Sequence, residues 1–246
     1  APPATVTVTW SQVSGPGTTT FGNANSLSTS AAFSVAGVYV LRLTASDTLL
    51  SASDDIQITV TSPGGSSATL DVSIAAASDD AEENNPNGAV DLTSSDLELA
   101  VDKTLVQTVG LRFVGMTIPA GAVITNAYVQ FTADEAKANA PAAALTVWGQ
   151  KSLNPPTFTT AAANVTSRPD TTASVAWSPP TWTAVGAAGV AQRTSNLSAV
   201  VQEIVGQPGW ASGNAIAIMI AGTGTRTARA FNAAGAPVLH IEYTIP

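Results

Sequence analysis

VGLRFVGMTIPAGAVI, residues Val109–Ile124, is the stretch that decides the fold class. Its first part, Thr108 to Phe113, alternates apolar residues with small or polar ones, the period of a half-buried strand. Pro119, Ala120 and Gly121 then supply turn chemistry, and a second alternating run spans Ile124 to Thr132. The same period of two recurs at Thr5–Trp10, Val38–Leu43, Ile56–Val60 and Leu70–Ile74, and again at Leu145–Gly149, Ala215–Ile220 and Val238–Tyr243. Gly, Pro, Asn and Ser clusters separate these runs, as turns require. The chain reads as all-β.

One segment has a helical period. In Ser195–Gly206 the apolar residues Leu197, Val200, Val201, Ile204 and Val205 form one stripe. Ser195 is the expected N-cap, Gly206 the C′ residue, and Pro208 prevents continuation.

The 246 residues suffice for one large β domain or two smaller ones, each with its own core. Without cysteine there is neither a disulfide framework nor a thiolate metal site. No apolar run of membrane-spanning length occurs, so no membrane span is expected. The opening Ala1-Pro2-Pro3, without Met or a signal-peptide pattern, reads as mature or trimmed protein. Charge is sparse and uneven. Residues 1–102 hold twelve acids against the single base Arg42, whereas residues 103–246 hold five acids against eight bases. Nucleic-acid binding needs a basic face, and the first half is the opposite. The low lysine content and absence of cysteine suit an extracellular or cell-surface bacterial protein.

Ser62-Pro63-Gly64-Gly65-Ser66-Ser67 has linker composition and divides residues 1–62 from 68–246, with 63–67 between them. The first part carries Trp10-Ser-Gln-Val-Ser-Gly-Pro-Gly, then Gly37-Val-Tyr-Val-Leu-Arg-Leu, and ends in Ser51-Ala-Ser-Asp-Asp-Ile-Gln-Ile-Thr-Val. Over residues 4–61 it resembles the PKD-type immunoglobulin-like repeats of bacterial surface proteins. The resemblance implies that Gly37 and Tyr39 turn into the core strand and that Trp10 is an inner-sheet core residue. It also implies two further strands ahead of Trp10, so the N-terminal strands of this sandwich are expected to be missing or supplied by a neighbour. The second part carries LRF-x₄-IP-x-GA-x-I, an acidic DDAEE stretch, the VVQEIV helix followed by Gly-Trp-x-Ser-Gly-Asn, and the closing APVLHIEY. It resembles DNRLRE-like and carbohydrate-binding modules of secreted bacterial proteins, which implies a larger jelly-roll β-sandwich with one short helix.

Asp79, Asp80, Glu82 and Glu83, with Asp91 beyond, concentrate carboxylates in a stretch read as a turn-rich loop. Calcium takes six to eight such oxygens at flexible spacing, and Asp134 and Glu135 could join them if the fold allows. A solvated acidic loop is the alternative. Trp177 and Trp182 flank Ser178-Pro179-Pro180-Thr181, a stiff turn that could present indole platforms to a sugar. Inward packing of both indoles is the alternative. His240, the single histidine, sits on an exposed strand face with Glu242. With no nucleophile elbow or thiol, no catalytic residues are expected. Gly222–Arg229 reads as a hairpin turn with an exposed arginine pair, from which Arg226 or Arg229 could reach the acidic loop.

The sequence therefore predicts a non-catalytic, calcium-stabilised extracellular module for carbohydrate binding or adhesion, with a polysaccharide or cell-surface glycan as partner. The alternative is a subunit of an extracellular filament or surface layer, with copies of itself as partners through β-strand addition. Ala1-Pro2-Pro3 would be one candidate donor, with a cut linker as the alternative.

Overall fold

The computed structural model describes residues 5–61 and 65–245. It is all-β apart from a short helix and two 3₁₀ turns, and it divides into two compact units, Ala1–Gly64 and Gly65–Pro246. Ala1-Pro2-Pro3, a candidate strand donor or cut linker, and Ser62, Pro63 and Gly64 of the expected linker lie outside the described residues.

The smaller unit contains β1 (Thr7–Ser14), β2 (Thr19–Phe21), β3 (Ala31–Phe33), β4 (Gly37–Ser46) and β5 (Ser51–Val60). One sheet runs β1-β4-β5, and β2 pairs with β3. Together they form an immunoglobulin-like sandwich fragment. Its centre is Tyr39, fully buried, packed on Phe33 at 4.7 Å between ring centroids and donating its hydroxyl to the Val35 carbonyl. Gly15 is required by this ring, since a Cβ there would lie 2.3 Å from Tyr39 Cδ1. Trp10, expected in the core, is half-buried instead. It stacks on Phe21 and donates Nε1–H to the Ser26 carbonyl, closing the loop after β2.

The larger unit opens with β6 (Ser66–Ser73), so Ser66 and Ser67 begin a strand where linker was expected. It continues through β7 (Asp80–Asn84), β8 (Ala89–Asp91), β9 (Asp96–Glu98), β10 (Val101–Asp102), β11 (Leu105–Phe113), β12 (Val123–Gln130), β13 (Ala144–Gln150) and β14 (Asp170–Trp177). Helix α1 (Ser198–Val205) follows, then β15 (Ile216–Thr223), β16 (Thr227–Arg229) and β17 (Val238–Ile245). The main sheet runs β14-β13-β15-β11-β7-β8, with β10 also paired to β11, and it faces a second sheet, β12-β17-β6. Between them Leu111, Phe113, Phe131, Val129, Ile218, Leu239 and Ile241 form one continuous core. The alternating runs form the strands, and the β-sandwich is the one the resemblance implied.

Three local expectations are corrected. The acidic stretch is a buried strand, β7, flanked in the main sheet by β11 and β8. Ser195 donates its hydroxyl to the Ala176 carbonyl, and it is Asn196 Oδ1 that accepts the Ser198 N–H at the start of α1. Gly206 ends the helix in right-handed geometry, not the left-handed C′ conformation. The helix stripe is buried as predicted and packs against β12, β13 and β14.

Gly222–Arg229 is not a hairpin. β15 pairs with β11 and β13, whereas β16 pairs with β9, so the segment crosses from the main sheet to a separate ribbon. Gly224 permits the crossing: its φ is +80°, and a Cβ would lie 2.2 Å from the Ala142 carbonyl oxygen. Gly224→Ala should therefore destabilise the larger unit by more than about 2 kcal/mol, combining left-handed strain with a backbone clash. Chemical denaturation monitored by tryptophan fluorescence measures it, and an unchanged midpoint would refute the packing account.

Candidate functional site

Strand alternation sends the carboxylates of β7 and its approach in opposite directions. On the outer face, Asp79 pairs with Arg112 at 2.5 Å and accepts from the Thr157 hydroxyl. Glu83 accepts the backbone N–H groups of Val165 and Thr166 at 2.7 and 3.0 Å, together with the Thr166 hydroxyl. Arg168 secures the same layer, donating to the Asn164, Pro156 and Thr157 carbonyls and lying 4.2 Å over the Phe158 ring. Asp79 and Glu83 thus hold the 155–168 loop against the sheet, where Phe158 and Val165 cover Ala81 and Met219.

On the inner face Asp80 accepts the Phe231 N–H at 2.6 Å, and burial raises its pKa to about 6. Glu82 accepts the Glu98 N–H at 2.6 Å, yet burial pushes its pKa to about 9, with the Glu98 and Asp96 carboxylates adding repulsion. Glu98 is also raised, by burial first and by its acidic neighbours Asp96 and Asp102.

Glu82 opens onto a groove of about 1020 Å³. Asp91, paired directly across from Glu82 on β8, lines it, as does Glu135. So three of the seven predicted calcium residues share one surface. Asp79, Asp80, Glu83 and Asp134 do not, and Asp134 instead faces Arg229 at 3.5 Å. Asp91 is engaged by the N–H and hydroxyl of Thr93, and Glu135 by Lys137 and the Thr227 hydroxyl. Among the described residues no three acidic, histidine or cysteine side chains converge as a ready-made metal cage.

The groove also contains residues that the sequence reading passed over, Asp96, Glu98, Asp102 and Gln107, together with the carboxamide of Asn84 from the acidic stretch. A signal existed. Asp96 and Glu98 alternate with the buried Leu97 and Leu99, so both acids had to share the face opposite the core.

The tryptophans are not sugar platforms. Trp177 is only 5% exposed and stacks on Phe131 at 5.7 Å within the core, and Trp182, 2% exposed, donates Nε1–H to the Ala191 carbonyl. The Pro-Pro turn between them serves a different residue. Arg226, expected on the surface, is buried and donates to the Pro179, Pro180 and Pro141 carbonyls. His240 is half-buried, held by Asp71 at Nδ1 (2.7 Å) and Glu242 at Nε2 (3.2 Å), and stacked on Tyr128.

Residues 2–60 match the family described as "K319L-like, PKD domain". The smaller unit is PKD-like. No curated protein matches the chain. The matched stretch is the smaller unit alone, whereas the acidic groove belongs to the larger one. No helix among the described residues is long and apolar enough to cross a membrane.

Two predictions follow from these environments. A carboxyl whose folded pKa lies near 9 makes the folded state hold the extra proton between about 4.5 and 9, so stability falls as pH rises through that window. Asp80 adds the same sign below pH 6. Melting temperature should therefore drop from pH 6 to pH 9, and Glu82→Gln should flatten that slope; a slope unchanged in the variant would contradict it. Trp177→Ala should cost about 3–5 kcal/mol, as loss of a core indole does. Equilibrium denaturation checks this, and a cost below about 1 kcal/mol would return Trp177 to the surface.

Proposed function

We propose that this chain is a non-catalytic, extracellular or cell-surface module of adhesion type, with the acidic groove of its larger unit as the binding face for a surface glycan. The PKD-like unit is of a kind usually found outside the cell, consistent with an adhesion-type module. The larger unit is read as a jelly-roll binding module of the DNRLRE-like sort.

The observation that carries this reading is the groove itself. Its volume suits several sugar rings and exceeds what a lone ion needs. Its walls offer carboxylates at Asp91, Asp96 and Asp102 and hydroxyls at Thr93, Thr160 and Thr225. Carboxylates and carboxamides accept from vicinal hydroxyl pairs, which is how a polyol can be held without an aromatic platform. The same negative lining repels acidic polymers, so a neutral or amino-bearing glycan fits and an anionic one does not. Catalysis is disfavoured on chemical grounds. The Glu82 and Glu98 carboxyls are hydrogen-bonded to each other, whereas glycoside cleavage needs two carboxyls on opposite sides of the scissile bond.

A second reading has its own support. β5 is ten residues long, almost wholly exposed, and pairs only with β4 among the described residues. Such an edge can accept a strand from another copy, although Asp54 and Asp55 lie along it as charges that discourage pairing. Light scattering and electron microscopy separate the readings: filaments would favour the polymer, and a monomer at about 100 μM would remove it.

For the groove, the chain should be retained on neutral polysaccharides or chitosan and not on polygalacturonate. Replacing Asp96 and Asp102 together by Ala should lower retention at least fivefold without changing the melting temperature by more than a few degrees. No retention by any neutral or amino polysaccharide would sink the glycan reading.

A further inference from the structure

We propose that the floor of the groove is a calcium site, with Glu82 and Glu98 supplying carboxylate oxygens and Asn84 and Gln107 supplying carboxamide oxygens. This goes beyond the glycan reading and does not need it.

Strand register places these groups together. Asn84 of β7 lies directly across from Gln107 of β11, and Glu82 is two residues from Asn84 on the same strand face. Glu98 joins them from β9, its N–H bonded to Glu82. The carboxylates alone would be no more than an acidic cluster, and the two carboxamides make the difference. Gln107 is only 8% exposed and lines the groove, yet its side chain has no hydrogen-bond partner among the described residues. Asn84 Oδ1 is a buried oxygen that also lacks one. A buried polar atom such as Asn84 Oδ1 is ordinarily paired. Two adjacent unpaired carboxamides beside two opposed carboxyls mark a place that wants a ligand presenting positive charge to oxygen.

The composition of the donor set selects the ion. Four side chains that offer only oxygen, two of them neutral, suit a hard cation of flexible coordination, and the open groove admits water to complete six to eight ligands. Zinc sites are built chiefly on histidine nitrogen or cysteine sulfur in a tetrahedron, and this set has neither. Magnesium demands a tighter octahedron. Neither of the groove's lysines answers the need, since Lys137 is spent on Glu135 and Lys103 sits on the lining with no salt-bridge partner among the described residues. Calcium would take the place of the proton that Glu82 otherwise holds beside Glu98, bridging the two carboxylates and tying β9 to β7.

The test uses the full 246-residue chain stripped with a chelator, with calcium chloride as the only added ligand. Isothermal titration should show one calcium per chain, and the melting temperature should rise with calcium and not with equal magnesium. Glu98→Gln and Gln107→Met should each weaken calcium binding at least tenfold. Both side chains are replaced by ones of similar size, so a folded protein is retained even if Glu82→Gln fails to fold. Asp54→Asn in the smaller unit should leave binding unchanged. Absence of calcium-dependent heat and stabilisation in the unsubstituted chain would overturn the site. So would a response that magnesium reproduces, or undiminished affinity in both groove variants. Because no glycan is present, failure here leaves the glycan reading standing, and failure on the polysaccharide panel leaves the calcium site standing.

Discussion

A buried carboxylate is tolerated only where donors or a proton compensate for the lost water. Asp79, Asp80, Glu82 and Glu83 are four consecutive instances, interrupted only by Ala81 and all buried. The larger unit depends on how each is answered. Asp79 takes Arg112, Asp80 takes the Phe231 N–H, Glu82 takes the Glu98 N–H, and Glu83 takes the N–H groups at 165 and 166. These partners come from four separate parts of the chain. Satisfying β7 therefore fixes the 155–168 loop on one face of the sheet and the β9 ribbon and the segment after β16 on the other.

The four are not answered equally. Glu83 has three donors, and Asp79 has a guanidinium and a hydroxyl. Glu82 has one N–H and a carboxyl neighbour, and it responds by keeping its proton up to about pH 9. This incomplete compensation lies where the interior of the sandwich opens to solvent, beside Asn84 and Gln107. Structure and binding potential have the same origin: Asp79, Asp80 and Glu83 are structural anchors, and Glu82 on the inner face is left with capacity for a ligand.

Much of this was legible in the sequence. The period-two runs located the long strands, the stripe at 197, 200, 201, 204 and 205 gave the helix its buried face, and the Pro-Gly-Gly composition marked the division between units. Ser195 is not the cap: the N-cap position falls on Leu197, which has no capping side chain, Asn196 Oδ1 accepts the Ser198 N–H, and Ser195 is drawn away to the Ala176 carbonyl. The acidic stretch was misread as a loop because propensity strongly disfavours Asp and Glu in strands. Its partners lie between 16 and 151 residues away, and nothing local announces them. The arginine at 226 failed for a similar reason: a glycine-rich setting suggests an exposed turn, but three prolyl carbonyls converge there from distant loops.

By itself the sequence determined that the chain is all-β, in two units, with its acids concentrated in the first 102 residues and no cysteine. Period, composition and turn residues are local quantities, and local quantities suffice for those conclusions. Only the tertiary structure decided which acids are anchors and which face a groove, that the two tryptophans belong to the core, and that Asn84 and Gln107 stand unpaired beside Glu82. Those distinctions depend on what lies opposite each side chain across strands far apart in the chain, and burial changes the chemistry of a carboxyl more than its identity does.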